Sequence, residues 1–474
     1  MNKPLGIGSA KARTPRLIVV VILLILVGRV LTADAQTETN LYTFLGSPND
    51  GNQPYAGLIQ GRDGNFYGTT YNGGTNNHGI VFRITPGGIE TNLHTFGDGS
   101  VNFANGLVQG SDGNFYGTTY QGGTNSLGSV FRITPAGIYT NLHSFGSSPT
   151  DGARPFAALV QGSDSNLYGT TTIGGASSAG TVFRISPAGN YTNLYSFANF
   201  PTDGANPEAA LIQASDGNFY GTTIAGGTIG FGTVFRINPA GSETNLYSFG
   251  GSATDGNGPT AALVQGSDGN FYGTAEQGGA NHDGTLFRIS PAGNYTNLYS
   301  FGSSPGDGNF PGAGLLQGSD GNFYGTTEQA GANGVGTVFR ISPGGNYTNL
   351  YSFSNSASDG HQPHAALIQG IDGKFYGTTT TGGSNSVGIV FRLTVPLNPP
   401  ANQISAVQLA GTNAVLSIPS VATEIYQLQF SSAMAPTNWI NQGGSITSSG
   451  SLLTVTNLGG ALLPQGFYRF DITP

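Results

Sequence analysis

A twelve-residue segment, residues 263–274 (LVQGSDGNFYGT), returns along the chain in near-copies at an almost fixed interval. One tyrosine in each copy marks the seven repeats: Tyr67, Tyr116, Tyr168, Tyr220, Tyr272, Tyr324 and Tyr376. Successive tyrosines are 49 residues apart once and 52 residues apart five times. A period of that length, built from short apolar runs and glycine-containing turns, is typical of radially repeated β-structure. We therefore predict an all-β fold with one structural unit per repeat.

Turn residues divide each repeat into four short strands. In the fifth repeat the predicted strands are residues 261–265, 271–274, 285–289 and 295–301. An Asp-Gly turn separates the first strand from the second, and a Pro-Ala-Gly turn separates the third from the fourth. Four short antiparallel strands are the usual content of one propeller blade.

The fourth-strand motif is displaced along the chain, and its displacement predicts how the ring closes. A first copy (TNLYTF) occupies residues 39–44, ahead of any complete repeat, and no copy follows Arg392. The later copies end at Phe96, Phe145, Phe197, Phe249, Phe301 and Phe353. Pairing of the N-terminal copy with the seventh repeat would remove the unpaired edge of an open array. We predict a seven-bladed β-propeller closed by an N-terminal strand; an open solenoid would leave the displaced strand unexplained.

Regions outside the repeats are assigned from composition. Residues 1–35 combine basic side chains, an apolar run at 17–27 and Ala33-Asp34-Ala35, which predicts a cleaved secretory signal peptide. The apolar run is short for an uncleaved membrane anchor. The propeller is assigned to residues 36–395 and a proline-rich linker to 396–402. Alternating apolar and polar residues in 403–474 predict a small immunoglobulin-like β-sandwich around Trp439. We expect a monomer that is secreted, extracellular or on the cell surface.

Charge and cysteine content exclude several classes of function. Removal of residues 1–35 takes away five of 16 basic and one of 24 acidic side chains, which leaves a formal charge of −12. A chain this acidic is a poor partner for nucleic acid or for acidic membranes. The chain has no cysteine, so thiol nucleophiles and thiolate metal sites are excluded. We find no motif for a cofactor or a metal, and none is expected.

Two kinds of loop should lie on opposite faces of the propeller. In an up-and-down blade, the turns after the first and third strands share one end, and the loops after the second and fourth share the other. The first pair is nearly constant between repeats, whereas the second pair varies and contains the three-residue deletion behind the 49-residue step. We call these ends the constant face and the variable face. Differences among internal copies are expected where function sets the residue.

Two repeat positions on the variable face supply candidate ligand contacts. The position after the second strand reads Tyr71, Tyr120, Thr172, Ile224, Glu276, Glu328 and Thr380. The position before the first strand reads Tyr55, Ala104, Phe156, Glu208, Thr260, Gly312 and His364. The predicted ligand-binding residues are Tyr55, Tyr71, Tyr120, Phe156, Glu208, Glu276, Gln277, His282, Glu328, Gln329 and His364. Aromatic, amide and carboxylate groups around a channel mouth suit a neutral polar ligand such as a glycan. The alternative is that they are ordinary solvated loop residues.

Charged residues within the repeats allow two further interpretations. Glu276 and Glu328 occupy equivalent places on adjacent blades and form the candidate acid and base pair of a glycosidase or lyase. Each repeat also carries an arginine in the third strand and an aspartate in the constant turn, such as Arg288 and Asp268. We predict that these form partly buried ion pairs with a structural role.

Three motifs carry a resemblance to a known family over residues 36–394. They are Gly-Ser-Asp-Gly-Asn-Phe-Tyr-Gly-Thr-Thr, Gly-Thr-Val-Phe-Arg-Ile-Ser-Pro-Ala-Gly and Thr-Asn-Leu-Tyr-Ser-Phe. With these motifs the chain resembles the GloVer tandem-repeat family of secreted bacterial "choice-of-anchor" proteins. The resemblance implies propeller-like repeats, secretion and a C-terminal attachment part that differs between members; it implies no established activity.

Two classes of function follow. The favoured hypothesis is a non-catalytic secreted or surface protein whose variable face binds a glycan or an extracellular protein. The alternative is a secreted carbohydrate-active enzyme that uses Glu276 and Glu328.

Overall fold

The computed structural model describes residues 37–97, 104–199, 201–304 and 306–395, and seven strands between residues 406 and 473. Every regular element among these residues is a β-strand. The predicted signal peptide, the linker at 396–402 and Trp439 lie outside the described residues.

Residues 37–395 contain seven four-stranded antiparallel sheets, which are the predicted blades. Blades 1 to 7 are numbered by their inner strands: Ile59–Gln60, Ala104–Gln109, Val160–Gln161, Ile212–Gln213, Val264–Gln265, Leu316–Gln317 and Ile368–Gln369. The second strands are Phe66–Thr69, Phe115–Thr119, Leu167–Thr171, Phe219–Thr223, Phe271–Ala275, Phe323–Thr327 and Phe375–Thr379. The third strands are Ile80–Ile84, Ser129–Ile133, Thr181–Ile185, Thr233–Ile237, Thr285–Ile289, Thr337–Ile341 and Ile389–Thr394. The outer strands of blades 1 to 6 are Glu90–Thr95, Tyr139–Ser144, Tyr191–Ser196, Glu243–Ser248, Tyr295–Ser300 and Tyr347–Ser352.

The outer strand of blade 7 is the N-terminal segment Thr37–Thr43, which confirms the predicted closure. It pairs antiparallel with Ile389–Thr394, with Thr39 opposite Arg392 and Thr43 opposite Ile389. The next residue, Phe44, is fully buried, and its ring centroid lies 5.2 Å from that of Phe82 in blade 1. The closing segment therefore joins the last blade to the first.

A ring of glutamine side chains on the constant face links every blade to the preceding one. Each inner-strand glutamine accepts a hydrogen bond from a backbone N–H in the constant turn of the blade before it. The pairs are Gln109 with Arg62, Gln161 with Ser111, Gln213 with Ser163, Gln265 with Ser215, Gln317 with Ser267, Gln369 with Ser319 and Gln60 with Ile371. The last pair joins blade 7 to blade 1 at 3.0 Å and completes the circle.

The predicted arginine–aspartate pairs are wrong, because the marker tyrosine binds the aspartate. In blade 5 the Tyr272 hydroxyl donates to Asp268 at 2.8 Å, and no ion pair joins Asp268 to Arg288 among the described residues. Tyr272 lies directly opposite Arg288 across the second and third strands, so its hydroxyl takes the place at the aspartate. The Tyr272 ring also stacks on Phe323 of blade 6, with centroids 4.0 Å apart. Tyr272 thus stabilises its own turn through its hydroxyl and packs against the next blade through its ring.

Six aspartates of the variable loops are buried, although their Asp-Gly sequences indicate only turns. They are Asp50, Asp151, Asp203, Asp255, Asp307 and Asp359. In five cases the carboxylate accepts a hydrogen bond from an outer-strand tyrosine eight residues earlier, as Asp255 does from Tyr247 at 2.7 Å. In the sixth, His143 takes the place of the tyrosine, and its Nε2 lies 3.3 Å from Asp151. These residues fix the start of each variable loop to the preceding blade.

Six inner strands contain only two residues, shorter than predicted, whereas the inner strand of blade 2 contains six. In each of the six, a proline precedes the strand, as Pro259 does in blade 5. Proline has no N–H to donate to the ladder, and the preceding Asp-Gly segment pairs with the loop after the second strand instead. Blade 2 is three residues shorter in this loop and has no proline before its inner strand, which is described from Ala104 onward.

The C-terminal region contains two antiparallel sheets. One is made of Ala406–Ala410, Asn413–Pro419 and Leu452–Asn457. The other is centred on Ile425–Ser431, which pairs with Ile440–Asn441, Ile446–Thr447 and Phe467–Thr473. The strands agree with the predicted all-β module; their packing into a β-sandwich stays a prediction.

Candidate functional site

In six of the seven blades the two variable loops are paired with each other, which agrees with the predicted common face. In six blades the loop before the inner strand forms a two-residue ladder with the loop after the second strand. The pairs are Gly51–Asn52 with Asn72–Gly73, Gly152–Ala153 with Ile173–Gly174, Gly204–Ala205 with Ala225–Gly226, Gly256–Asn257 with Gln277–Gly278, Gly308–Asn309 with Gln329–Ala330 and Gly360–His361 with Thr381–Gly382. This pairing sets the candidate residues of both repeat positions on the same surface.

The propeller axis below this surface is lined by small residues from all seven blades. Positions 55–57 of blade 1 and their equivalents surround a cavity of about 160 Å³. A Cβ on Gly106 would lie 3.0 Å from Ala158 Cβ, and one on Gly57 would lie 3.2 Å from the Ala366 carbonyl oxygen. Seven chain segments approach one another here, and glycine or alanine fills the innermost lining positions except at Asn105 of blade 2. The channel is narrow, and larger side chains collect at its mouth on the variable face.

A second cavity of about 360 Å³ opens at this mouth, beside blades 6, 7 and 1. It is lined by Gln53, Tyr55, Tyr71, Phe156, Glu328, Gln362, His364, Thr380 and Thr381. Five of these residues belong to the predicted ligand-binding set. Tyr55, Phe156 and His364 also border the axial cavity, together with Glu208. We call the two adjoining cavities the axial mouth.

A chain of polar contacts crosses three blades at the axial mouth. The Tyr55 hydroxyl of blade 1 is hydrogen-bonded to Nε2 of His364 in blade 7. The same nitrogen lies 3.0 Å from the Glu328 carboxylate of blade 6. Gly312 makes room for this arrangement, since a Cβ on it would lie only 2.7 Å from Glu328 Oε1. The three side chains come from places far apart in sequence and hold one another in position.

Four aromatic rings extend from this contact toward blades 2 and 3. The Tyr55 ring centroid lies 6.1 Å from that of Tyr71 and 6.1 Å from that of Phe156. The Phe156 ring lies 5.7 Å from the Tyr120 ring, and the Arg154 guanidinium carbon lies 5.6 Å from the Tyr120 centroid. The rings form a continuous aromatic surface along one side of the mouth.

Carboxylates give the other side of the mouth a negative field. Burial, followed by the charges of Glu328, Glu276 and Glu208, raises the pKa of the Tyr55 hydroxyl. Burial and the charge of Glu328 raise the pKa of Glu276, and burial and the charge of Glu276 raise the pKa of Glu208. In both glutamates His364 acts in the opposite direction. All three carboxylates therefore act on a common space.

The structure brings together most of the predicted site residues and separates three of them. Tyr55, Tyr71, Phe156, Glu208, Glu328 and His364 line the axial mouth. Tyr120 contacts Phe156, and Glu276 interacts with Glu208 and Glu328. Gln277, His282 and Gln329 are exposed and line neither cavity.

The predicted ligand-binding set left out five residues at the mouth. Gln53, Gln362, Thr380 and Thr381 line the larger cavity, and Gly312 is the small residue that accommodates Glu328. Gln53 and Gln362 occupy one repeat position, two residues before Tyr55 and His364, and both have positive φ angles of 55°. Arg154, Asn206, Gly258 and Phe310 fill this position in other blades. Comparison of that variable position between repeats would have found them.

The described residues were also compared with the requirements of a metal site and of a membrane-spanning helix. No group of three or more histidine, aspartate or glutamate side chains there is arranged to hold a metal ion. That same part of the chain has no helix with the length and apolar character of a membrane span.

Comparisons with known proteins identify the repeat and the fold. The family model of the Gloeobacter/Verrucomicrobia repeat matches three overlapping stretches, residues 28–215, 91–266 and 211–413. A search of curated proteins found no match.

Several solved structures are similar in fold. A streptogramin B lyase structure is 14% identical with a TM-score of 0.54, and the match covers 76% of this chain and 97% of that chain. A catalytically inactive virginiamycin B lyase from Staphylococcus aureus with quinupristin is 15% identical with a TM-score of 0.53, covering 76% and 99%. A lectin from Burkholderia pseudomallei is 15% identical with a TM-score of 0.50, covering 73% and 98%. At such identities the likeness shows the propeller fold alone.

Proposed function

The chain belongs to the Gloeobacter/Verrucomicrobia repeat family, and we propose that this member is a non-catalytic secreted or surface protein that binds a glycan at the axial mouth. The observation that carries the proposal is the convergence of Tyr55, Glu328 and His364, from three blades, beside a cavity of about 360 Å³. Secretion rests on the signal-peptide pattern of residues 1–35.

The lining has the chemistry of a sugar-binding pocket. Tyr55, Tyr71 and Phe156 offer flat apolar faces on which a pyranose ring can pack. Gln53, Gln362 and Thr381 add amide and hydroxyl groups beside them. Aromatic faces with a few polar groups are the usual composition of a small-molecule pocket. The volume of about 360 Å³ lies in the usual range of ligand pockets, and the lectin of similar fold agrees with this use of a propeller.

Calorimetric titration with glycans selected on an array tests the proposal. Tyr71→Ala and Phe156→Ala should each weaken binding by about tenfold or more, as expected for aromatic anchors at the centre of a site. Phe231→Ala is the matched control, since Phe231 is an aromatic residue 42% exposed in a variable loop of blade 4 and lines neither cavity. Equal loss in all three variants, or no binding to any glycan, would overturn the proposal.

The enzyme alternative is kept because of one observation. Burial and the charge of Glu328 raise the pKa of Glu276, whereas Glu328 contacts the His364 imidazole, so two neighbouring carboxylates have different environments. Such a difference is what a general acid and its partner need. In an enzyme, Glu276→Gln would abolish turnover of a glycan that the variant still binds. In a binding protein, no product forms with either the wild type or the variant.

A further inference from the structure

We propose that the glycan recognised at the axial mouth carries a free, positively charged amino group, as in an amino sugar that is not acetylated. This inference rests on the proposed function, and it adds the charge of the ligand to it.

Three carboxylates come from consecutive blades. Glu208 of blade 4 lines the axial cavity, and Glu328 of blade 6 lines the adjoining one. Glu276 of blade 5 holds the same repeat position as Glu328, 52 residues earlier. All three raise the pKa of one hydroxyl, that of Tyr55, after burial, so their fields meet at a single point of the mouth.

The protein offsets the charge of these carboxylates only in part. No lysine or arginine is among the described residues that line the two cavities. The Arg154 guanidinium lies over the Tyr120 ring, on the aromatic side of the mouth. His364 is the side chain that opposes the three charges, and it contacts Glu328. In the free protein the carboxylates repel one another, and a bound cation would relieve this repulsion.

The aromatic side of the mouth favours the same ligand charge. Tyrosine and phenylalanine faces attract ammonium groups, and this attraction grows as the pair is shielded from water. A sugar ring packed on Tyr71 and Phe156 would bring its amino substituent between the rings and the carboxylates. A sulfated or uronic glycan would instead place like charges together, which is unfavourable in a confined site.

Two oligosaccharides that differ only in acetylation test the inference. We would titrate the protein with a glucosamine tetramer and with the matching N-acetylglucosamine tetramer, at about pH 6, where an aliphatic amine is protonated. The free amine should bind at least about tenfold more tightly, and its affinity should fall as salt screens the carboxylates. Equal or tighter binding of the acetylated tetramer would overturn the inference.

Two variants and a control assign the charge to the mouth. Glu208→Gln and Glu276→Gln should each reduce the preference for the free amine, while binding of the acetylated tetramer changes little. Glu243→Gln is the control, because Glu243 is a partly buried carboxylate beside Asp203 that neither lines the mouth nor is among the charges that raise the pKa of Tyr55. An unchanged preference in both mouth variants would also overturn the inference.

The two proposals fail in different ways. Binding of neutral glycans without preference for the amine removes only the charge assignment. Absence of binding to every glycan, charged or neutral, removes the proposed function.

Discussion

Replacing Phe44 by alanine should open the ring at its closing strand. The Phe44 side chain is fully buried and packs with Leu58, Phe66 and Val390, so it joins the N-terminal strand to blades 7 and 1. A phenylalanine buries about 200 Å² of surface, which at about 25 cal/mol per Å² corresponds to about 5 kcal/mol. Measured Phe→Ala changes in cores cost about 3–5 kcal/mol. Because domains are stable by only about 5–15 kcal/mol, a loss of this size is large.

Urea unfolding and amide hydrogen exchange measure this effect. The unfolding midpoint should fall, and exchange should accelerate first in Thr37–Thr43 and in its partner Ile389–Thr394. Leu45→Ala is the control, since the adjacent Leu45 is 66% exposed and should change stability by less than about 0.5 kcal/mol. An unchanged midpoint in Phe44→Ala, or exchange that rises equally in all blades, would refute the closure argument.

Three further perturbations test the packing between and within blades. A Cβ on Gly273 would lie 2.6 Å from Phe287 Cζ, so Gly273→Ala should lower the free energy of unfolding by about 1–3 kcal/mol in urea titrations. Gly306→Ala is the control: a Cβ on Gly306 meets nothing within 4 Å, so this substitution should not lower the free energy of unfolding. Burial and then the charge of Asp203 raise the pKa of Glu243 to about 7, so wild-type stability should fall as pH rises from about 4.5 to about 7. Thermal melts of Glu243→Gln should show a smaller decline, because Glu38 and Glu90 keep pKa values of about 7, and an identical pH profile would disprove the assignment to Glu243. Burial acts to raise the pKa of Asp151, but hydrogen bonds from His143 and Ser147 outweigh it and lower the pKa to about 2. The stability that Asp151 adds should therefore be present above about pH 4 and lost toward about pH 2. Acid-unfolding curves of Asp151→Asn that match the wild type would contradict this.

The repeat predicted the ring well because its regular spacing shows which segments occupy equivalent positions in successive blades. Seven copies of the tyrosine motif, and one outer-strand motif ahead of them, determine the blade number and the closure by Thr37–Thr43. The same spacing separates the constant face from the variable face. Side-chain partners were harder to predict, because spacing indicates which groups are near one another but not which one binds. Tyr272 therefore took the place expected for Arg288 at Asp268.

The candidate site was predicted only in part, for a related reason. Repeat positions identify residues that face the same surface, and this was enough to select Tyr55, Glu328 and His364. Repeat positions do not show which side chains reach the cavities. The predicted set therefore included Gln277, His282 and Gln329, although these residues are exposed outside the cavities. Gly312 was not included in the predicted set because it contributes by having no side chain beside Glu328.

Hydrogen exchange of the protein with and without a bound glycan tests most directly whether the axial mouth is the binding site. We expect protection in the peptides that contain Tyr55, Phe156, Glu328 and His364, and none in the constant turns. Protection confined to the constant turns or to the outer strands, with no change at the mouth, would contradict the account.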